Sequence, residues 1–250
     1  MAVSTLAAAT GSNIDHWGER VDLACAFRWT ARWNMHESVA NHFSIAVSDD
    51  GCDFLVNPRG RHFSRVRASE FLLTNADDPS VMERPDAPDP SAWALHGGIH
   101  RRVPGARVIL HVHSKYATAL ACLKNPKLEA VDNNTMRFYQ RIAYDLGFQG
   151  MGMGDEAERV AALAGDKPIL LLGNHGVMVL GPDVAQALDD LYHFERACET
   201  YITALATGRE LAVVSHAVAA RTAQQWIEYP DLTENHFKAL KEILEEEEPD

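Results

Sequence analysis

Three histidines have the type and spacing to hold a metal ion: His111 and His113 in Arg107-Val-Ile-Leu-His-Val-His113, and His175 in Leu172-Gly-Asn-His-Gly176. Both segments read as short apolar strands that end at a turn. A strand sends alternate side chains to one face, so His111 and His113 point the same way. A third imidazole carried in from a second strand end would complete a three-nitrogen site with an open position for substrate. That is the donor set of a catalytic zinc-type centre, where the cation acts as a Lewis acid. Histidines at strand ends are also ordinary polar residues. Two independent strand-end motifs favour the metal reading over that one.

The elements that must position these residues follow from the apolar periodicity. Ile14, Trp17, Val21, Leu23, Ala24 and Phe27 recur at near-helical spacing, which predicts an amphipathic helix over Ile14 to Trp33. Phe43 to Val47, the Asp49-Asp50-Gly51 turn and Asp53 to Val56 form a hairpin signature, and His62 to Val66 is expected to pair as a further strand. Thr74 to Pro90, rich in proline and aspartate, reads as an exposed loop. A helix is predicted from Ser91, as N-cap, through Ile99, then a buried strand from Val108 to His113 and a helix capped by Ser114. A second helix is expected from Thr135 to Leu146, a glycine-rich connection over Gly150 to Gly154, and a short helix from Asp155 to Ala164. Pro168 to Leu172 and Gly176 to Leu180 read as a strand and its hairpin partner. The long helix from Asp183 to Thr207 carries Val184, Leu188, Leu191, Phe194 and Cys198 on one stripe. A final helix from Asn235 to Glu245 runs into an acidic end. Residues 1–13 are expected to be unstructured and residues 14–250 to form one α/β domain, since no repeat or linker divides the chain.

Composition bounds the partners. Hydrophobic residues make up 46% of 250, enough for a sizeable core, and charged residues 23%. A formal net charge of −12 argues against nucleic acid and against anionic membrane surfaces. Arg59, Arg61, Arg65 and Arg67 nevertheless cluster, and such a patch can hold a carboxylate or phosphate or simply face solvent. Cys25, Cys52, Cys122 and Cys198 are scattered with no C-x-x-C pairing, which fits a reduced, cytoplasmic protein. No run reaches the roughly 18 apolar residues of a membrane span. The glycines of Gly150 to Gly154 match neither a P-loop nor a dinucleotide fingerprint.

Taken in order, the motifs resemble the class II aldolase/adducin family from about Val39 to Thr207. The resemblance rests on Asn41-His-Phe-Ser44, Val56-Asn-Pro-Arg-Gly60, Ala92-Trp-Ala-Leu-His-Gly-Gly-Ile-His100 with Pro104, the pair His111 and His113, and Gly173-Asn-His-Gly176. It implies a three-layer α/β/α fold on a mostly antiparallel sheet. It also implies a divalent metal (Zn or Mn, with Fe or Co also compatible) on His111, His113 and His175, usually in a homotetramer with active sites at subunit contacts. The chain departs from the sugar-phosphate aldolases of the family, which carry an acid/base glutamate where Ala92 stands. Around the phosphate position it has His42, Arg59, Pro90 and Ser91 instead of small polar residues, a set better suited to a substrate carboxylate with Arg59 as its partner.

The family's shared step builds negative charge on carbon beside a metal-bound oxygen, giving a metal-stabilised enolate. Retro-aldol cleavage must also take a hydroxyl proton and so needs a base. Decarboxylation needs none, because the departing carboxylate leaves its electron pair behind. The chain is therefore expected to be a decarboxylase of a small hydroxylated aromatic or heteroaromatic acid, or of a 3-oxo acid. An aldolase for a non-phosphorylated hydroxy-oxo acid is the alternative. A non-catalytic adducin-like oligomerising scaffold ranks third, since the chain lacks the long neck and basic tail of that branch. A proton must still return to carbon. His96, one helical turn after Ala92, is the first candidate acid/base, and Tyr139, by resemblance, the second. His42, Arg59 and Ser91 are the candidate substrate-binding residues. His100 is placed too far along its helix, and His16, His36, His62, His193, His216 and His236 are given no role.

Overall fold

A computed structural model describes residues 14–147 and 156–247. The N-terminal stretch 1–13, the glycine-rich connection at Gly150 to Gly154, Asp155 and the end of the acidic tail lie outside the described residues. The elements run α1 (Trp17–Arg32), β1 (His42–Ala46), β2 (Asp53–Val56), β3 (Leu72–Asn75), α2 (Pro90–Arg102), β4 (Val108–Val112), α3 (Lys115–Ala121), α4 (Asn133–Arg137), β5 (Ile142–Asp145), α5 (Glu156–Ala164), β6 (Ile169–Leu172), β7 (Gly176–Gly181), α6 (Val184–Ala206), α7 (His216–Ile227) and α8 (Pro230–Glu247).

The seven strands form one sheet in the order β3-β2-β1-β4-β7-β6-β5, antiparallel throughout except for the β5–β6 pair. Strand alternation divides the core between two faces. Val108, Leu110, Val112, Val177, Val179, Ile169 and Leu171 pack beneath α1, α3, α6 and α8 on one side. Ile109, Met178, Leu180, Leu170 and Leu172 pack beneath α2 and α5 on the other. The α/β/α layering implied by the family motifs is therefore present. β4, buried along its whole length, lies at the centre of the sheet.

Four expectations about the elements are corrected. Thr135 to Leu146 is not a helix: α4 stops at Arg137, Gln140 turns the chain with φ 60°, and β5 follows. Ile142, Tyr144 and Leu146 alternate as strand residues do, and pairing with β6 settles the matter. His62 to Val66 is a single tight 3-10 turn, with Arg65 N–H donating to His62 O at 2.8 Å; it carries Phe63 to the rings of Phe27 and Phe43. The loop starting at Thr74 is partly strand, since β3 pairs with β2 at the sheet edge. The N-cap of α2 is Asp89, whose Oδ1 accepts from Ser91 N–H at 2.9 Å, with Pro90 in the first turn. Helix α7 was not foreseen.

A candidate metal centre at one end of the sheet

The site follows from antiparallel pairing. β4 runs opposite to both neighbours, so its C-terminal end lies beside the start of β1 and the start of β7. His42, at the start of β1, pairs directly with His111. His175 occupies the three-residue turn between β6 and β7, where Leu172 pairs with Gly176. Asn174 takes the left-handed conformation there (φ 56°), one that asparagine tolerates well, and its N–H donates to Ala121 O at 3.0 Å. Gly176 lets this turn press against β4, since a Cβ would meet Val112 O at 2.5 Å and His113 Cδ2 at 2.9 Å.

His111, His113 and His175 each offer a ring nitrogen, all within 4.8 Å of one another. His111 Nδ1–H donates to Val177 O at 3.0 Å, which leaves its Nε2 as the lone-pair nitrogen. That Nε2 lies 3.2 Å from His113 Nε2. Nitrogens bound about 2.1 Å from one cation at tetrahedral angles are about 3.4 Å apart, so the donor set fits a divalent metal. Burial pushes the His175 ring down to about 4 and holds His111 and His113 below the ordinary histidine value. All three are neutral at pH 7, as ligands must be.

A second, buried polar layer backs the triad. His42 Nδ1 meets His96 Nε2 at 2.8 Å; His96 Nδ1 meets Ser44 Oγ at 2.6 Å; Ser44 Oγ meets His100 Nε2 at 2.7 Å; His100 Nδ1 donates to Ala106 O at 2.8 Å. Burial lowers His42 and His100 to about 4 and His96 well below its usual value, so these rings too are neutral. His96, completely buried, has both nitrogens engaged by protein groups and presents neither to the triad. His42 Nε2 faces Ser91 Oγ at 3.4 Å, while Ser91 donates its hydrogen to Asp89 Oδ1 at 2.6 Å. The exposed Arg59 lies 3.8 Å from Asp89 Oδ2. The cluster of arginines does not converge: Arg61 pairs with Glu70 at 2.7 Å, and Arg65 and Arg67 are exposed. Tyr139 sits apart from the triad's partners, its hydroxyl 2.9 Å from His216 Nδ1, in the wall of a surface cavity of about 580 Å³ with Lys127, Tyr144, Leu146 and Val213.

Ala92 is fully buried and packs with Phe54, Val56 and Ala76. Sequence reasoning missed Ser44, His100, Asp89 and Glu195. The first two were legible as spacing: Ser44 is two residues after His42 on the same strand face, and His100 four residues after His96 on the same helix face. Glu195 gave no local signal. It reaches from α6 to the start of α3, just beyond His113, accepting from Ser114 Oγ at 2.6 Å, Tyr116 N–H at 2.8 Å and Ala117 N–H at 2.9 Å. Ser114 therefore occupies the N-cap position without capping, and Glu195 closes the helix instead.

Strand-end histidines on a mostly antiparallel α/β/α sheet define a protein class, and the chain belongs to it: residues 21–202 match the family model for the class II aldolase and adducin N-terminal domain. Among individual proteins, it is 26% identical to a putative aldolase class 2 protein of Caulobacter vibrioides over 81% of this chain and 79% of that one. An aldolase II superfamily protein of Pseudomonas syringae superposes with a TM-score of 0.84 at 28% identity, covering 94% of this chain and 95% of the other. L-fuculose 1-phosphate aldolase of Glaciozyma antarctica shares the fold, with a TM-score of 0.78 at 21% identity over 97% of each chain.

Proposed function

We propose that this protein is a divalent-metal-dependent carbon–carbon lyase that decarboxylates a small hydroxylated aromatic or heteroaromatic acid, or a 3-oxo acid. The observation that carries the reading is the convergence of His111, His113 and His175 from two strand ends. A cation held by these rings would supply Lewis-acid stabilisation of negative charge on a substrate oxygen. Zinc and manganese are the first candidates, and iron or cobalt suits the same nitrogens.

The choice of decarboxylation rests on position 92. An aldolase base there would have to be a carboxylate, and Ala92 instead packs among apolar side chains. Loss of CO₂ supplies its own electron pair, so it needs no carboxylate base at position 92. Arg59, exposed beside Asp89 at the head of α2, is the proposed partner for the substrate carboxylate. His42 and Ser91 are the proposed polar contacts on the substrate side. His96 supports His42 from behind and does not itself return the proton. Tyr139 would reach a reacting group only across a subunit contact, and homo-oligomerisation, as a tetramer, belongs to this proposal.

One observation favours a second reading, an aldolase for a non-phosphorylated hydroxy-oxo acid: His42 offers a neutral imidazole that could serve as the missing base. Purified protein loaded with zinc or manganese and given a panel of hydroxy-aromatic, 3-oxo and hydroxy-oxo acids separates the two. CO₂ release supports decarboxylation and aldehyde release supports aldol cleavage. Efficient cleavage of sugar phosphates would overturn the inference from Ala92. A chain that retains no stoichiometric metal would leave the scaffold reading, on which the adducin branch of the family relies.

A further inference from the structure

A backbone carbonyl can only accept a hydrogen bond, and this gives the buried layer behind the triad a direction. His100 must donate from Nδ1 to Ala106 O, 2.8 Å away. A neutral ring then has only a lone pair at Nε2, and Ser44 must donate its single hydrogen to it across 2.7 Å. With that hydrogen spent, Ser44 Oγ can only accept from His96, so His96 carries its hydrogen on Nδ1. His96 Nε2 is thereby an acceptor, and His42 must donate to it from Nδ1 at 2.8 Å. Among the described residues, His42 Nε2 is then left with a lone pair and no hydrogen donor. Ser91, its polar neighbour at 3.4 Å, gives its hydrogen to Asp89.

We propose that His100, Ser44 and His96 form a one-way hydrogen-bond chain that locks His42 as the Nδ1–H tautomer and turns an unshared Nε2 lone pair to the substrate, where it accepts the hydrogen of a substrate hydroxyl. The His42 ring centroid is 5.0 Å from that of His111, so this acceptor stands beside the triad. His42 is the catalytic residue of the set; Ser44, His96 and His100 are positioning residues. The inference rests on the lyase reading for its substrate and narrows it to acids with a free hydroxyl. A site built to accept such a hydrogen discriminates against an analogue that lacks it, because the buried acceptor would go unpaired. Nothing is oxidised or reduced. In an acid whose hydroxyl sits on the unsaturated carbon next to the one bearing the carboxylate, the hydroxyl proton passes to Nε2 and from there to the carboxylate-bearing carbon, which gives the 3-oxo form. The carbon–carboxylate bond then breaks and its electron pair flows to the oxygen as an enolate. CO₂ and the oxyanion of the product leave.

The test is nitrogen NMR of the full chain labelled with ¹⁵N-histidine, loaded with zinc, which reads tautomers directly without any substrate. His42, His96 and His100 should each show a protonated Nδ1 and an unprotonated Nε2. In Ser44→Ala, His100 should keep its Nδ1–H, held by Ala106 O, while His42 and His96 lose their single tautomer; Ser44→Thr should restore it. A proton on His42 Nε2, or a His42 tautomer unchanged in Ser44→Ala, would overturn the chain. So would a His42 Nε2 resonance that moves on zinc loading as the triad resonances do, because His42 would then be a fourth ligand. If Ser44→Ala does not fold, the wild-type spectrum alone still decides. Zinc content measured on the same samples reports on the lyase reading separately: failure to bind zinc with the tautomers intact counts against the metal centre and not against the relay.

Discussion

Gly176 has room for a hydrogen and nothing larger, because Val112 O and His113 Cδ2 stand 2.5 Å and 2.9 Å from where a Cβ would lie. Gly176→Ala must push either the β4 backbone or the His113 ring, and overpacking of this kind costs about 1–3 kcal/mol. Elemental analysis and thermal unfolding should show both a weaker hold on metal and a lower Tm; unchanged metal content would show that the turn can yield without moving His113. His113→Ala should lose metal and activity together, since two imidazoles remain where three converge. A His113→Ala protein with full metal and full turnover contradicts the site. Ala92→Glu would place a carboxylate among Phe54, Val56 and Ala76, where it has no partner in the apolar cluster. Its expected effect is a loss of stability of order 1–3 kcal/mol rather than a gain of aldol cleavage.

Helices α4, α6, α7 and α8 meet around one buried ionic group. Arg137 donates to Asp189 Oδ2 at 2.7 Å and to Asp190 Oδ1 at 3.0 Å, and its guanidinium lies 4.9 Å from the Trp226 ring centroid. Thr233 and His236 of α8 donate to Asp189 at 3.0 Å and 2.6 Å. Arg137→Ala would leave two carboxylates buried without their counter-ion, a loss of about 3–5 kcal/mol. At about 2–4 °C per kcal/mol for a chain of this size, a melting experiment resolves it easily. Burial pushes the Asp189 carboxyl up, but the His236 hydrogen bond and the Arg137 charge outweigh it and hold it well below the usual carboxylate range. A depressed acid contributes stability above its unfolded value of about 3.9 and loses it as pH falls towards the folded value. Burial likewise lowers His193 to about 4, so between about 6.5 and 4 the unfolded chain binds its proton first. Both groups make stability fall with acidification. Denaturation followed from pH 7 to pH 3 should show that loss reduced in Asp189→Asn. The Glu195 clamp on α3 predicts a loss of about 2–3 kcal/mol for Glu195→Ala, as three hydrogen bonds to a charged acceptor disappear.

Across the whole molecule, antiparallel order places β1, β4 and the β6–β7 turn so that one end of the sheet gathers every proposed metal ligand. Among the described residues no helix is long and apolar enough to cross a membrane. Several large apolar side chains stand open on the flank made by the C-terminal segments, among them Tyr229 at 63% and Ile227 at 52% exposure, while Leu146 and Val213 line the cavity that holds Tyr139. Covering by second copies of the chain is the expected outcome, and sedimentation should give a mass that is a multiple of 27.6 kDa. A species sedimenting as a single chain at micromolar concentration would remove Tyr139 from the proposed chemistry, since its hydroxyl is paired with His216 and its cavity is lined by none of the triad.

The histidine spacing, the strand on either side of it and the long helix α6 were legible in the sequence because each depends on neighbours a few residues apart, whose period of two or 3.6 is written in the chain. The pair His111 and His113 shares a face for that reason alone, and the ordered motifs were enough to name the family. Partners far apart in sequence were decided by the tertiary structure. Thr135 to Leu146 could read as a helix until β6 supplied a strand to pair with, and Glu195 had no local signature because its partners lie some eighty positions earlier. His96 had the right type and position for an acid/base, yet packing of α2 over β1 spends both its nitrogens on His42 and Ser44. Which face a residue takes is local physics. Which nitrogen meets which partner depends on strand register and helix docking, and only the folded chain fixes those.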